Sequence, residues 1–307
     1  MRAVKNVLAE LKKNHALFVL LAPAVIVVIM LSYLPMSGLI LAFKNFKYDQ
    51  GIFGSQWSGF NNFRYLFLSG AGVRVTINTL TYNAVNLVTC QALAIVIAIF
   101  INETRNIVFK KVSQSFIFLP YFISWTIVGM LALGVFNYES GIMNQVLIAV
   151  GAKPLNVYMN VGIWRFIIPI VNSWKWVGYT SVIYIAAIAG IDQECYESAD
   201  IDGANILQKN LYITLPSIFR TIIIMVLLNV GRIMRGDFQM FYQLIGNNGQ
   251  LFEGTDVIDT FVFRALILGR DFGMASASTF YQSVLCFVII VAVNGLVRKI
   301  DKDSALF

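Results

Sequence analysis

Charge is scarce in this sequence, and so is metal-binding chemistry. Asp, Glu, Lys and Arg make up 13% of the 307 residues, histidine occurs once, at His15, and cysteine three times. The chain has no H-E-x-x-H or C-x-x-C pattern, which argues against a membrane metalloenzyme. It also lacks a G-x-x-x-x-G-K-S/T phosphate loop, so it has no familiar means of hydrolysing ATP by itself. Cys90, Cys195 and Cys286 sit in or beside apolar segments and read as small hydrophobes. No convergent catalytic cluster, short-period repeat, low-complexity run or detachable soluble domain is visible.

What fills the chain is apolar side chain. Hydrophobic residues reach 58% and the mean hydropathy is +0.72, outside the usual soluble range, so the chain reads as an integral membrane protein. Aromatic residues at 14% suit interfacial belts and internal packing. The net charge of +7 is spread among hydrophobic runs rather than gathered on a soluble face. That distribution fits anionic lipid headgroups and gives no reason to expect nucleic acid.

Runs of about 20 apolar residues cross a hydrocarbon core about 30 Å thick. Six such stretches predict an all-α membrane domain over residues 1–307, with spans near 16–43, 75–102, 112–138, 163–190, 217–245 and 273–297. The first is too long for the apolar core of a cleavable leader and reads as a span, with Pro23 and Pro35 as kinks or ends. The second and third are uncharged throughout.

Six spans put both termini on one side. Eleven Lys and Arg lie on that side (Arg2, Lys5, Lys12 and Lys13, the 103–111 loop, Lys209 and the stretch after Leu296), against seven on the other. The bias predicts cytoplasmic termini. Outside, Trp57 to Phe67 has aromatics at mostly helical spacing, as a short interfacial helix or as a loop packed on the span tops. From Gly246 to Phe272 a loop is expected to re-form a helix around Val257 to Leu268.

Between the fourth and fifth spans lies a polar island, residues 191–216. Asp192 is placed to cap a helix from Gln193 to Ile201, which Gly203 interrupts. A second helix from about Ala204 carries Leu207, Leu211 and Leu215 on one stripe until Pro216, expected to force a new direction. Two short helices meeting at a glycine make a compact knob that transmits a push, where a plain loop would absorb it. An amphipathic interfacial elbow with no partner is the other reading.

Glu197-Ser198-Ala199, three residues, Gly203, nine residues and Ile213-Thr214-Leu215-Pro216 together resemble the E-A-A-x3-G-x9-I-x-L-P signature of membrane permease subunits in binding-protein-dependent ABC importers. Ser198 stands where alanine is usual. Trp57 to Phe63 and the Asn78-Thr79 pair are similar to sugar-importer permeases. Trp174 to Tyr179, Arg232 to Phe241 and Asp256 to Thr260 resemble the LplB-like subgroup associated with complex oligosaccharides.

The resemblance implies a six-helix permease of the bacterial cytoplasmic membrane, paired with a second similar permease. Two ATPase subunits would hold ATP and Mg, this chain binding no cofactor, and an external sugar-binding protein would deliver the solute. Glu197, Ser198, Ala199, Asp202, Gly203, Ile213, Leu215 and Pro216 would form the ATPase contact.

Charges inside spans are costly, roughly 2.5 to 3.5 kcal/mol each near the bilayer centre if they face lipid. Lys175, Arg232, Arg235 and Asp237, with Trp174, Asn229 and Gln239, therefore mark either a hydrophilic solute path or a buried network fixing the spans. On a helix, Arg232 and Arg235 share a face. A basic path suits uronate-bearing sugars. An ion-coupled secondary transporter would use the same charges as its coupling site but has no need of the island.

Overall fold

The structure, a computed structural model, describes residues 13–300, so Arg2, Lys5, Lys12 and Lys302 of the charge asymmetry lie outside the described residues. Among the described residues, the helices that frame the molecule begin with α1 (His15–Phe43), α2 (Asn61–Leu68), α3 (Ala71–Glu103), α4 (Ile107–Phe122) and α5 (Trp125–Phe136). After them come α6 (Ile142–Ala149), α7 (Val161–Ala189), α8 (Gln193–Ile201), α9 (Ile206–Val230), α10 (Phe238–Ile245), α11 (Ile258–Ile267) and α12 (Phe272–Ile300). Sheet among the described residues is one antiparallel pair, Lys44–Asn45 with Gln56–Trp57. Among the described residues four helices, α1, α3, α9 and α12, are long and apolar enough to cross a membrane, or five spans if the bent α4–α5 pair counts as one. α7 is 29 residues long and carries Arg165 and Lys175.

The central pair is α3 against α7. At 33 residues α3 is about 50 Å long. Its buried face is polar for a membrane helix, with Thr76, Thr79, Asn86 and Gln91 facing protein. Such groups bind across helices because lipid offers no partner. Thr89 meets Ser173 at 3.1 Å, and Tyr184 donates to Gln91 at 2.6 Å. Ala94 and Ala98 of α3 let Val177, Tyr184 and Ile188 of α7 and Ile218 of α9 close into an apolar core. A second core joins Trp125 and Val128 of α5, Trp164 and Ile168 of α7, and Met240 and Phe241 of α10.

The short helix expected between Trp57 and Phe67 forms as α2 and packs on the ends of α1 and α12. Asn62 donates to the carbonyls of Leu41, Ala42 and Lys44, and Phe63 lies 6.0 Å from Phe280 of α12. The loop after Gly246 re-forms as α11, preceded by a one-turn helix, Phe252–Thr255, that has no period of its own to announce it.

Three expectations are corrected. The 112–138 stretch is not straight: α4 and α5 meet at 95°. Pro120 ends the α-helical ladder, a 3-10 turn covers Leu119–Phe122, and Ser124 starts α5 by accepting from Ile127 N. The 217–245 stretch is also broken. α9 ends at Val230, and residues 231–237 turn before α10, so Arg232 and Arg235 do not share a helical face. Third, Pro216 does not redirect the chain. A π-helical turn, Asn210–Thr214, runs directly into the helix from Leu215, so α9 continues through the proline, whose missing N–H falls at the junction of the two helix types.

Candidate functional site

Each helix break frees carbonyls that must find donors inside a membrane. At the α4–α5 break the donor is Lys175 of α7, 6% exposed. Its Nζ donates to Pro120 O at 3.4 Å, to Tyr121 O at 3.2 Å and, more closely, to Ile123 O. The ammonium also lies 5.2 Å from the Trp125 ring centroid, within cation–π range. α7 can reach in this far because Gly178 presses against the backbone of Ile117 and Phe118.

At the second break, Asn83 of α3 donates to Ile233 O at 2.7 Å and to Arg235 O at 3.0 Å. Gln282 of α12 donates to Met234 O at 2.6 Å. Gly236 N donates to Asp259 Oδ2 at 2.7 Å. Asp237 caps α10 through Met240 N and accepts from Trp125 Nε1 at 2.8 Å, joining the two breaks.

Two clefts open here. One of about 510 Å³ is lined by Tyr121, Trp125, Lys175, Trp176, Asp237 and Gln239. At its rim Tyr121 stacks on Tyr179 at 4.8 Å. The other, about 790 Å³, is lined by Arg232, Arg235, Phe238, Asp259, Thr279 and Gln282 among others. The predicted path residues thus divide. Lys175, Asp237 and Gln239 face one cleft and Arg232 and Arg235 the other, while Trp174 and Asn229 line neither. Asn229 spends its amide on Met225 O one turn back. Asn83, Trp125, Asp259 and Gln282 were not predicted as site residues; a lone amide in an apolar helix was the available signal.

Segments that look unrelated in sequence meet just above. Asn78 donates to Asp256 O at 3.0 Å, Ile258 N donates to Thr79 Oγ1 at 3.0 Å, and Tyr82 donates to Gly254 O at 2.7 Å. The buried Asp256 carboxylate is paired with Arg264 and accepts from Thr260. Among the described residues no three of His, Cys, Asp and Glu gather to hold a metal ion.

The polar knob sits at the far end of α7 and α9. Asp192 caps α8 by accepting from Glu194 N at 3.1 Å. Gly203 takes φ +74°. Gly203 N bonds Asp200 O and Ala204 N bonds Ala199 O, the double closure that requires a left-handed residue and so favours glycine. Asn205 and Gln208 form a reciprocal capping box at the start of α9. Lys209 pairs with Asp200 at 2.8 Å, tying α9 back to α8.

Glu197, Ser198, Asp202, Gly203 and Pro216 are exposed, and Ala199, Ile213 and Leu215 half-buried. Ile201 at 88%, Leu207 at 68% and Tyr212 at 77% exposure give the knob an apolar surface that none of the described residues covers. Of the expected leucine stripe, Leu215 packs against the core shared by α3, α7 and α9, while Leu207 and Leu211 point outward.

Residues 93–304 match the family described as binding-protein-dependent transport system inner membrane component. Protein LplB of Bacillus subtilis is 29% identical over 97% of this chain and 93% of its own length. The polygalacturonan/rhamnogalacturonan transport system permease protein YteP of the same organism is 29% identical over 98% of this chain and 93% of its own. Among solved structures, a bacterial ABC transporter that imports the acidic polysaccharide alginate superposes with TM-score 0.88 and 31% identity, covering 96% of this chain and 99% of that one. A bacterial alginate ABC transporter in complex with an alginate pentasaccharide-bound periplasmic protein gives TM-score 0.86 at 31% identity over 96% and 98%.

Proposed function

This chain belongs to the family of binding-protein-dependent transport system inner membrane components, and we propose that it is the translocation subunit through which an ATP-driven importer moves an oligosaccharide into the cytoplasm. The observation that carries the reading is the rigid knob joining α7 to α9. Both helices lead from it to a break, α7 through Lys175 and α9 through its own end at Val230. Non-helical backbone at membrane depth belongs where it lines a watery cavity, and here it borders two.

In this reading the bent α4–α5 pair and α7 complete six spans, and the termini and knob are cytoplasmic. The knob, led by Glu197, docks on one of two ATPase subunits. Those subunits hold ATP and Mg, and this chain binds no cofactor and performs no catalysis. When they close on ATP, the knobs of this chain and a second, similar permease draw together and the spans rock from inward-open to outward-open. ATP drives the change through its higher affinity for the closed arrangement. An external binding protein delivers the solute to the open side, as the periplasmic protein of the alginate complex suggests by analogy.

The ion-coupled alternative loses its coupling site. Lys175 is spent on three carbonyls, and Asp237 on Trp125 and the cap of α10. That leaves Arg232, and Arg235 beside the Asp259 carboxylate, both exposed at the larger cleft, to meet solute carboxylates. Relatives named for polygalacturonan and alginate favour an acidic sugar.

Changing Arg232 and Arg235 together to glutamine should lower uptake of an oligogalacturonate by liposomes carrying the complete complex about tenfold, the worth of one charge-assisted hydrogen bond. Uptake of a neutral galactooligosaccharide should hold. If both uptakes stay at the parental level, the cargo is not selected by charge at this cleft.

A further inference from the structure

The π-helical turn Asn210–Thr214 is inside out. Its polar residues Asn210 and Thr214 are 8% and 1% exposed, while its apolar neighbours Leu211 and Tyr212 are 49% and 77% exposed. The buried side chains form a chain of hydrogen bonds. Tyr196 of α8 meets Thr214 Oγ1 at 2.9 Å, Thr214 donates to Asn210 Oδ1 at 3.0 Å, and Asn210 Nδ2 donates to Glu103 Oε1 at 3.1 Å. A hydroxyl has one proton, and Thr214 gives its own to Asn210, so Tyr196 must be the donor to Thr214. Every proton points the same way, from the knob to a carboxylate at the last residue of α3. Bonds aligned in this manner reinforce one another away from water.

α3 continues this line through the membrane. Asn83, twenty residues before Glu103 and so about 30 Å away along the helix, holds the carbonyls of Ile233 and Arg235 at the second break. The knob therefore has two routes to that break: directly along α9, and through Glu103 along α3.

We propose that Tyr196, Thr214, Asn210 and Glu103 are positioning residues that lock the knob to α3, so that a displacement of the knob carries α3 with it and reopens the 231–237 break at Asn83. The proposal rests on the reading of the knob as the ATPase contact. Asn210 and Thr214 stand four residues apart and so share the face of the turn that meets α3 and α8.

Cys286 reports on the break, because its Sγ donates to Gly231 O at 3.4 Å and it lines the larger cleft. The test is maleimide labelling of the complete complex in liposomes, with and without trapping by ATP and vanadate, read at Cys286 by peptide mass spectrometry. Trapping should raise the Cys286 rate about fivefold in the parent, the factor one net hydrogen bond is worth. Thr214→Val and Glu103→Leu should each remove most of that rise while the ATPase subunits still co-purify, and the double variant should do no more than either alone. Glu103→Gln keeps an acceptor oxygen and should retain the rise.

A full rise in Thr214→Val and Glu103→Leu, no rise in the parent, or loss of the ATPase subunits from either variant overturns the lock. Glu197→Arg separates the two levels. If that variant sheds the ATPase subunits, the knob keeps its role and only the lock is at stake. If it retains them and still shows the rise, the reading of the knob falls and the lock with it.

Discussion

Lys175→Met should cost this protein about 3 kcal/mol or more, because one side chain supplies the donor for three carbonyls at membrane depth. Methionine fills similar volume, so the loss isolates the hydrogen bonds rather than the packing. In detergent, the thermal midpoint should fall by about 5 to 10 °C. The damage should spread to α10, since Asp237 reaches the same junction through Trp125. A parental midpoint would mean that water satisfies these carbonyls, and Lys175 would then be free to act on solute.

Gly178→Val should be at least as severe. A Cβ at this position would lie 2.6 Å from the carbonyl carbon of Ile117 and 2.8 Å from the Cα of Phe118, and closer still to the Ile117 oxygen. Those atoms are backbone and cannot rotate away, so α7 must lift off α4. Overpacking of this kind costs about 1 to 3 kcal/mol and often more against backbone. Lifting α7 also withdraws Lys175 and separates the Tyr121–Tyr179 stack. The expected result is loss of the monodisperse peak in size-exclusion chromatography. Gly134→Val is the control, because an added Cβ there meets nothing within 4 Å. Equal behaviour of the two variants would remove the close α4–α7 approach from the description.

How much of the molecule is legible in its sequence depends on where each signal resides. The α8 helix, its Asp192 cap and the turn at Gly203 were legible because capping and left-handed closure are local, settled within a few residues. The extents of α3, α7 and α12 were legible because apolar length is counted directly.

The breaks were not legible. Pro120, Gly231 and Gly236 are compatible with a kinked but continuous span, and what settles the matter is a donor for each freed carbonyl. Those donors, Lys175, Asn83 and Gln282, come from helices far away in sequence. The same distance hid the role of Lys175, whose charge in an apolar run announces cost but not partner. Glu103 is an ordinary end-of-helix acid by sequence, and only the fold sets Asn210 against it. Asn78-Thr79 and Asp256 to Thr260 each carry a family resemblance of their own, and their contact with one another exists only in three dimensions.

The knob as the point where ATP drives transport is tested most directly by oligogalacturonate uptake into liposomes that hold the complete complex, supplied with the external binding protein, with ATP inside. Parental liposomes should take up solute only with ATP, and Glu197→Arg should lose both the ATPase subunits and the uptake while keeping a parental thermal midpoint. Uptake that proceeds without ATP, or that survives in Glu197→Arg, would show that the knob is not where this protein is driven.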